Sequence, residues 1–191
     1  NPEKGKSAYD THVIDYERPA SSGIAELAPA NTFYAQARKV KIDQVDMSLS
    51  EIEIWRFCNN CSHKQNLAGT QETKTCPNCG SSMWADAGQK RQMLKMRQVF
   101  ATSSDRYSRI SDDSDDRSPV FYNRQMLVEF DDKYISHAYK VDGDFPFGFD
   151  FLTHVDFCEI NFGEMSITGE KINIAGMEMQ EKGFEICKTC G

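Results

Sequence analysis

Apolar and polar residues alternate with a period of two along much of this chain, the pattern of half-buried strands. Glu51-Ile52-Glu53-Ile54-Trp55-Arg56-Phe57 alternates and runs directly into Cys58, so a strand delivers that cysteine. Residues 32–42 suit one or two strands, with Val40 and Ile42 on one face and Lys39 and Lys41 on the other. After Cys79, residues 83–84 and 92–102 read as strand, and a helix over 88–97 is the alternative for the second. Residues 120–130, 134–141, 149–162, 165–167, 172–179 and 183–186 are strand-like, punctuated by Gly143, Pro146, Gly148, Gly163 and Gly176. A short helical turn fits residues 24–27.

These segments predict a mainly β chain: an antiparallel sheet or barrel-like domain with an inserted four-cysteine zinc ribbon. Residues 1–31 read as a lead-in, 32–50 as the first strands of the β domain and 51–102 as the zinc-ribbon module. An acidic loop follows at 103–119, then a β-rich domain at 120–186 and the start of a second metal site at 187–191.

Composition narrows the class. Hydrophobic residues make up 39% and charged residues 27%, which suits one ordinary core and excludes wholesale disorder. No apolar run is long enough for a membrane span, and no basic-then-apolar leader opens the chain, so a cytoplasmic location is expected. The chain starts at Asn1 and stops just after a cysteine pair, and both ends read as cuts in a longer polypeptide.

Six of the seven cysteines sit in C-x-x-C pairs, which suits metal ligation in a reducing compartment better than a disulfide scaffold. Cys58-Asn59-Asn60-Cys61, fourteen residues, then Cys76-Pro77-Asn78-Cys79-Gly80 is the strongest motif present. Four thiolates surround Zn²⁺ tetrahedrally at about 2.3 Å, and two residues between ligands make a turn that aims both sulfurs at one point. Pro77 fixes φ in the second turn, and Gly80 permits a positive φ after it. Four cysteines fill the coordination sphere, so the expected role is structural. Cys187 and Cys190, followed by Gly191, look like half of a second such site. His154 and Cys158 either complete it or pack in the core.

The net charge of −7 is unevenly spread: −2 over residues 1–37, +4 over 38–97 and −9 over 98–191. The positive stretch holds the four cysteines, so DNA contact, if any, falls within residues 38–97. The candidate contacts are Arg56, Lys64, Lys74, Trp84, Lys90, Arg91, Lys95 and Arg97. Equally, the aromatics there pack the ribbon while the cations solvate it. Asp112-Asp113-Ser114-Asp115-Asp116-Arg117 lacks the spacing of a Ca²⁺ loop and reads as a solvated acidic segment. No carboxylate pair, nucleophile motif or Gly-rich phosphate loop is present, so no enzyme activity is expected of these residues.

Several further segments resemble one family. They are Tyr16-Glu17-Arg18-Pro19-Ala20, Glu26-Leu27-Ala28-Pro29-Ala30-Asn31-Thr32-Phe33-Tyr34, Arg56-Phe57-Cys58 to Cys79-Gly80, Glu159-Ile160-Asn161-Phe162-Gly163, and Gly183-Phe184-Glu185-Ile186-Cys187-Lys188-Thr189-Cys190-Gly191. Together they resemble the cysteine-bearing C-terminal region of bacterial DEAD/DEAH-box helicases, the group of MrfA-type repair helicases and the helicase-like components of DISARM phage defence. The resemblance implies that the remaining ligands of the Cys187/Cys190 site lie beyond Gly191. It also implies a parent that uses ATP to move on or remodel DNA, although the ATPase motifs are missing here. The expected function is a non-catalytic zinc-binding accessory domain that supports DNA engagement or docks on the rest of a helicase. The alternative is a protein–protein interaction module with a purely structural ribbon.

Overall fold

The alternating segments become a series of short antiparallel ladders. A computed structural model describes residues 12–103, 108–110 and 119–191. In chain order, helix α1 (Ala20–Glu26) precedes the hairpin β1 (Thr32–Ala35) and β2 (Arg38–Lys41). Then come β3 (Gln44–Val45), β4 (Glu51–Phe57) and β5 (Lys64–Asn66), followed by β6 (Lys90–Lys95) and β7 (Val99–Phe100). The second half holds β8 (Tyr122–Glu129), β9 (Ile135–Val141), β10 (Phe147–Leu152), β11 (Asp156–Glu164), β12 (Glu170–Ile174) and β13 (Met177–Glu181). The described strands form six small antiparallel sheets, so the mainly β, antiparallel expectation holds.

Helix α1 is short because little in its sequence sustains it. The Pro19 carbonyl accepts from Ser22 N and Gly23 N, and the Asn31 side-chain amide closes the far end on the Ala25 and Glu26 carbonyls. Asn161 of β11 donates to the Ile24 carbonyl at 2.8 Å, which ties the helix to the second half of the chain. The β1–β2 hairpin turns at Gln36 and Ala37, both at positive φ, as a two-residue hairpin turn requires. Ile110 N donates to the Ala37 carbonyl, and Arg109 bridges to Arg38. The acidic run at 112–117 lies outside the described residues.

Strand β4 is the centre of the three-stranded sheet, with β5 and β6 on its two sides. Alternation sends Trp55 and Phe57 to one face and Arg56 to the other. Phe57 joins Leu127 of β8, Ile160 and Phe162 of β11, and Ile172 and Ile174 of β12 in the largest core cluster. Trp55, Met93, Cys158 and Met179 pack around it. The cysteine-bearing sheet and the C-terminal strands therefore share one core.

Some segments depart from their sequence pattern. Residues 83–84 lie in a 3₁₀ turn (Ser82–Ala85), because Trp84 must turn inward under the cysteines instead of following a ladder. The helix alternative at 88–97 reduces to a 3₁₀ turn at Ala87–Gln89 before β6 pairs with β4. The run 149–162 is broken at 153–155, so that β10 pairs with β9 and β11 with β8. Residues 165–167 are not strand, and 183–186 contributes only a bridge from Gly183 to Gly163. Ile172–Met179 is a hairpin turned at Ala175 and Gly176, both at positive φ.

Candidate metal centre

Strand β4 delivers Cys58 to the end of the sheet, where the chain reverses through Asn59, Asn60 and Cys61 before β5 returns beside it. Cys58 N donates to the His63 carbonyl at 2.9 Å and closes this first turn. The second turn is closed by Gly80 N on the Cys76 carbonyl, also 2.9 Å, with Gly80 at φ +74. Gly80 thus acts as the spacing predicted.

The four Sγ atoms all lie within 4.8 Å of one another, a cluster able to hold a metal ion. Cys58 and Cys79 Sγ are 3.5 Å apart, and Cys61 and Cys76 Sγ 3.7 Å. Tetrahedral ligands at about 2.3 Å from a metal would be about 3.8 Å from each other, so the spacing fits four-sulfur coordination. Asn60 N lies 3.4 Å from Cys58 Sγ, and the Asn78 side-chain amide 3.6 Å from Cys61 Sγ. Such donors offset thiolate charge.

Burial divides the four. Cys58 and Cys76 are buried, Cys61 is half-buried and Cys79 is exposed. Desolvation pushes the Cys58 thiol up to about 12 and raises Cys61. The Ser81 N–H draws Cys79 down to about 7. Without a metal the Cys58 and Cys61 thiols keep their protons, and binding an ion displaces them.

Trp84 forms the floor of the centre. It is fully buried with Cys58 and Cys76, its Nε1 donates to Thr73 Oγ1 at 3.0 Å, and His63 lies against its ring. Arg56 is 1% exposed, sits 5.5 Å from the centre of the Trp84 ring and donates to Glu72 Oε2 at 2.8 Å. Glu72 also accepts from Lys90 at 2.9 Å; Lys90 and Arg56 hold its carboxyl below the usual range.

These positions reassign most of the candidate DNA contacts. Trp84 and Arg56 are buried and cannot reach a base or phosphate. Lys64 is paired with Glu129, Lys90 with Glu72 and Arg91 with Glu181. Lys74, Lys95 and Arg97 remain exposed.

Two contacts, invisible in the local sequence, join the centre to the C-terminal strands. Ala175 N donates to the Cys58 carbonyl at 2.9 Å and Gly176 N to the Asn59 carbonyl at 2.7 Å, so the β12–β13 turn caps the first cysteine turn. On the other side Glu129, at the end of β8, accepts from Lys64 N at 3.2 Å and lies 3.0 Å from His63 Nδ1. Neither partner has a motif; their sequence separation hides them.

Cys187 and Cys190 lie near β3, where Gln44 Nε2 donates to the Cys190 carbonyl. His154 lies against Tyr134 and beside Asp156. Cys158 packs on the core. Among the described residues the four-cysteine group is the one cluster of three or more His, Cys, Asp or Glu ligand atoms close enough to share an ion. His154 and Cys158 therefore do not complete a site with Cys187 and Cys190. No described helix is long and apolar enough to cross a membrane. No protein-family model, curated protein or solved structure matches the chain.

Proposed function

We propose that this chain is a non-catalytic, zinc-binding accessory module of an ATP-dependent helicase-like protein in the cytoplasm, where a structural Zn²⁺ holds a β scaffold for docking. One observation carries the structural role: four converged sulfurs, with the backbone of the first cysteine turn hydrogen-bonded to the β12–β13 turn. Cysteine-only coordination in a reducing compartment favours Zn²⁺. Four sulfurs close the sphere, so the ion organises the fold without activating a water. The helicase parentage rests on the resemblance of the segments set out above.

Docking is favoured over DNA engagement because four of the seven candidate phosphate contacts, Arg56, Lys64, Lys90 and Arg91, are already paired with carboxylates inside the protein. DNA contact on this reading falls to Lys74, Lys95 and Arg97. The alternative, a protein–protein interaction module with a purely structural ribbon, is supported by the exposed aromatic face of the β9–β10 hairpin.

Metal analysis of protein purified without chelator tests the first part: about one zinc per chain is expected, and a value near zero overturns it. Titration of single-stranded and duplex DNA against salt tests the second. Binding that weakens steeply with salt and is lost in the triple variant Lys74→Glu, Lys95→Glu, Arg97→Glu supports DNA contact. No binding at low salt removes it and leaves docking.

A further inference from the structure

The hairpin of β9 and β10 is amphipathic, yet its apolar face is open. Cross-strand register pairs His137 with Phe151, Tyr139 with Phe149, and Val141 with Phe147, all on one face. Ser136, Ala138, Lys140, Gly148 and Asp150 take the other. Every residue from 136 to 151 is exposed: Tyr139 is 52%, Phe147 60%, Phe149 48% and Phe151 54% accessible. The rings nonetheless order one another. Tyr139 stacks on Phe149 with centroids 5.4 Å apart, and Phe151 meets both edge-on at 5.8 Å.

A two-stranded ribbon is marginal in water unless a further element covers its apolar face. No described residue covers this one. Tyr139, Phe149 and Phe151 touch one another on this face, so they form a contiguous apolar patch of the kind that marks interaction sites, unlike scattered surface apolars. Its charge then selects the occupant. Asp131, Asp132, Asp142, Asp144, Asp150 and Asp156 outnumber Lys133 and Lys140, giving −4 over residues 131–156. A second copy would bring like charges together, and four of the cations in the 38–97 stretch, Arg56, Lys64, Lys90 and Arg91, are paired internally. A nucleic acid would be repelled.

We propose that this hairpin is a docking arm for an amphipathic helix of a partner protein, whose apolar stripe is flanked by Lys or Arg. The helix lays its stripe on Tyr139, Phe147, Phe149 and Phe151, while its cations meet Asp142 and Asp144 at the tip. The six residues of β10 run about 20 Å at about 3.3 Å each, the length of a helix of about 13 residues. The inference deepens the protein–protein interaction reading and rests on it.

The test uses the whole zinc-loaded chain and a defined probe, a helical peptide of Leu stripe and Lys flanks, with a Leu/Glu peptide of the same pattern as control. Affinity is read by calorimetry and self-association by sedimentation. The expected result is binding of the Leu/Lys peptide only, weakened at least about tenfold in Phe147→Ser/Phe149→Ser and again in Asp142→Lys/Asp144→Lys. Both pairs are exposed, and zinc content with circular dichroism shows that each variant keeps its fold. Absence of binding overturns the proposal, as does equal binding by the Phe→Ser variant, which would be charge attraction alone. Equal binding of the Leu/Glu peptide overturns the charge argument, and a dimer lost in the Phe→Ser variant assigns the face to a second copy. Zinc-free protein in these assays would instead count against the metal-site reading.

Discussion

The amide of Ala175 donates a hydrogen bond to the carbonyl of Cys58 across a sequence separation that no motif spans. Together with Gly176 on Asn59, it makes the backbone of the first cysteine turn an acceptor for a hairpin of the other half of the chain. The four-cysteine cluster is therefore built into the main fold, and the shared core around Phe57 reinforces the junction.

Metal removal should consequently loosen both halves. Structural zinc contributes about 10 kcal/mol or more in small zinc modules, comparable with the whole stability of a domain. Chelation, or Cys76→Ser, is expected to lower Tm by more than about 10 °C. Hydrogen exchange should show protection lost at Ala175 and Gly176 together with Cys58. Protection retained at the β12–β13 turn after loss of the metal would show the two to be uncoupled.

Arg56 illustrates a cation used for folding. Buried against Trp84 and bonded to Glu72, it bridges β4 to the loop between the cysteine pairs. Arg56→Ala should cost about 3 kcal/mol, through lost packing as well as lost charge, and urea unfolding measures it. The folded Glu72 carboxyl is held below its ordinary range, so its contribution is present above that range and fades as pH falls through the lowered value. A stable Arg56→Ala protein with reduced DNA affinity would return Arg56 to the list of phosphate contacts.

Gly163 adopts φ +99 where β11 meets the Gly183 backbone, and a Cβ there would lie 2.5 Å from the Gly183 carbonyl oxygen. Both the dihedral and the contact forbid a side chain. Gly163→Ala should destabilise the protein by more than about 2 kcal/mol. A Tm within error of the parent would mean that the two backbones separate freely.

The cysteines should differ in reactivity. The Cys190 and Thr189 amides draw the exposed Cys187 thiol down to about 7, while burial pushes Cys158 up. Cys187 is thus largely thiolate just above neutrality, where an ordinary thiol is a few per cent ionised. Alkylation followed by mass mapping should label Cys187 with a rate that is half-maximal near its lowered pKa and levels off above about pH 8, leave Cys158 unmodified, and spare the four clustered cysteines while metal is bound. Labelling of Cys187 that rises only near pH 9 would contradict the local hydrogen bonding.

Much of this was legible along the chain. The strand leading into Cys58, the positive φ at Gly80, and the convergence of four cysteines all follow from local spacing, because a C-x-x-C turn and a period-two strand are determined by neighbours a few residues apart. The breaks at 153–155 and after Glu164 were not legible, since an apolar run does not say which partner strand each part of it will meet. The positive stretch likewise predicted a basic surface, yet packing placed Arg56 and Trp84 inside and gave Lys64, Lys90 and Arg91 to Glu129, Glu72 and Glu181. Sequence by itself determined which four cysteines converge and that the chain is built of strands. Tertiary structure alone decided that the β12–β13 turn holds the first cysteine turn, that Arg56, Lys64, Lys90 and Arg91 serve the fold, and that the Tyr139–Phe149 face is left open, because those outcomes depend on contacts between residues far apart in the chain.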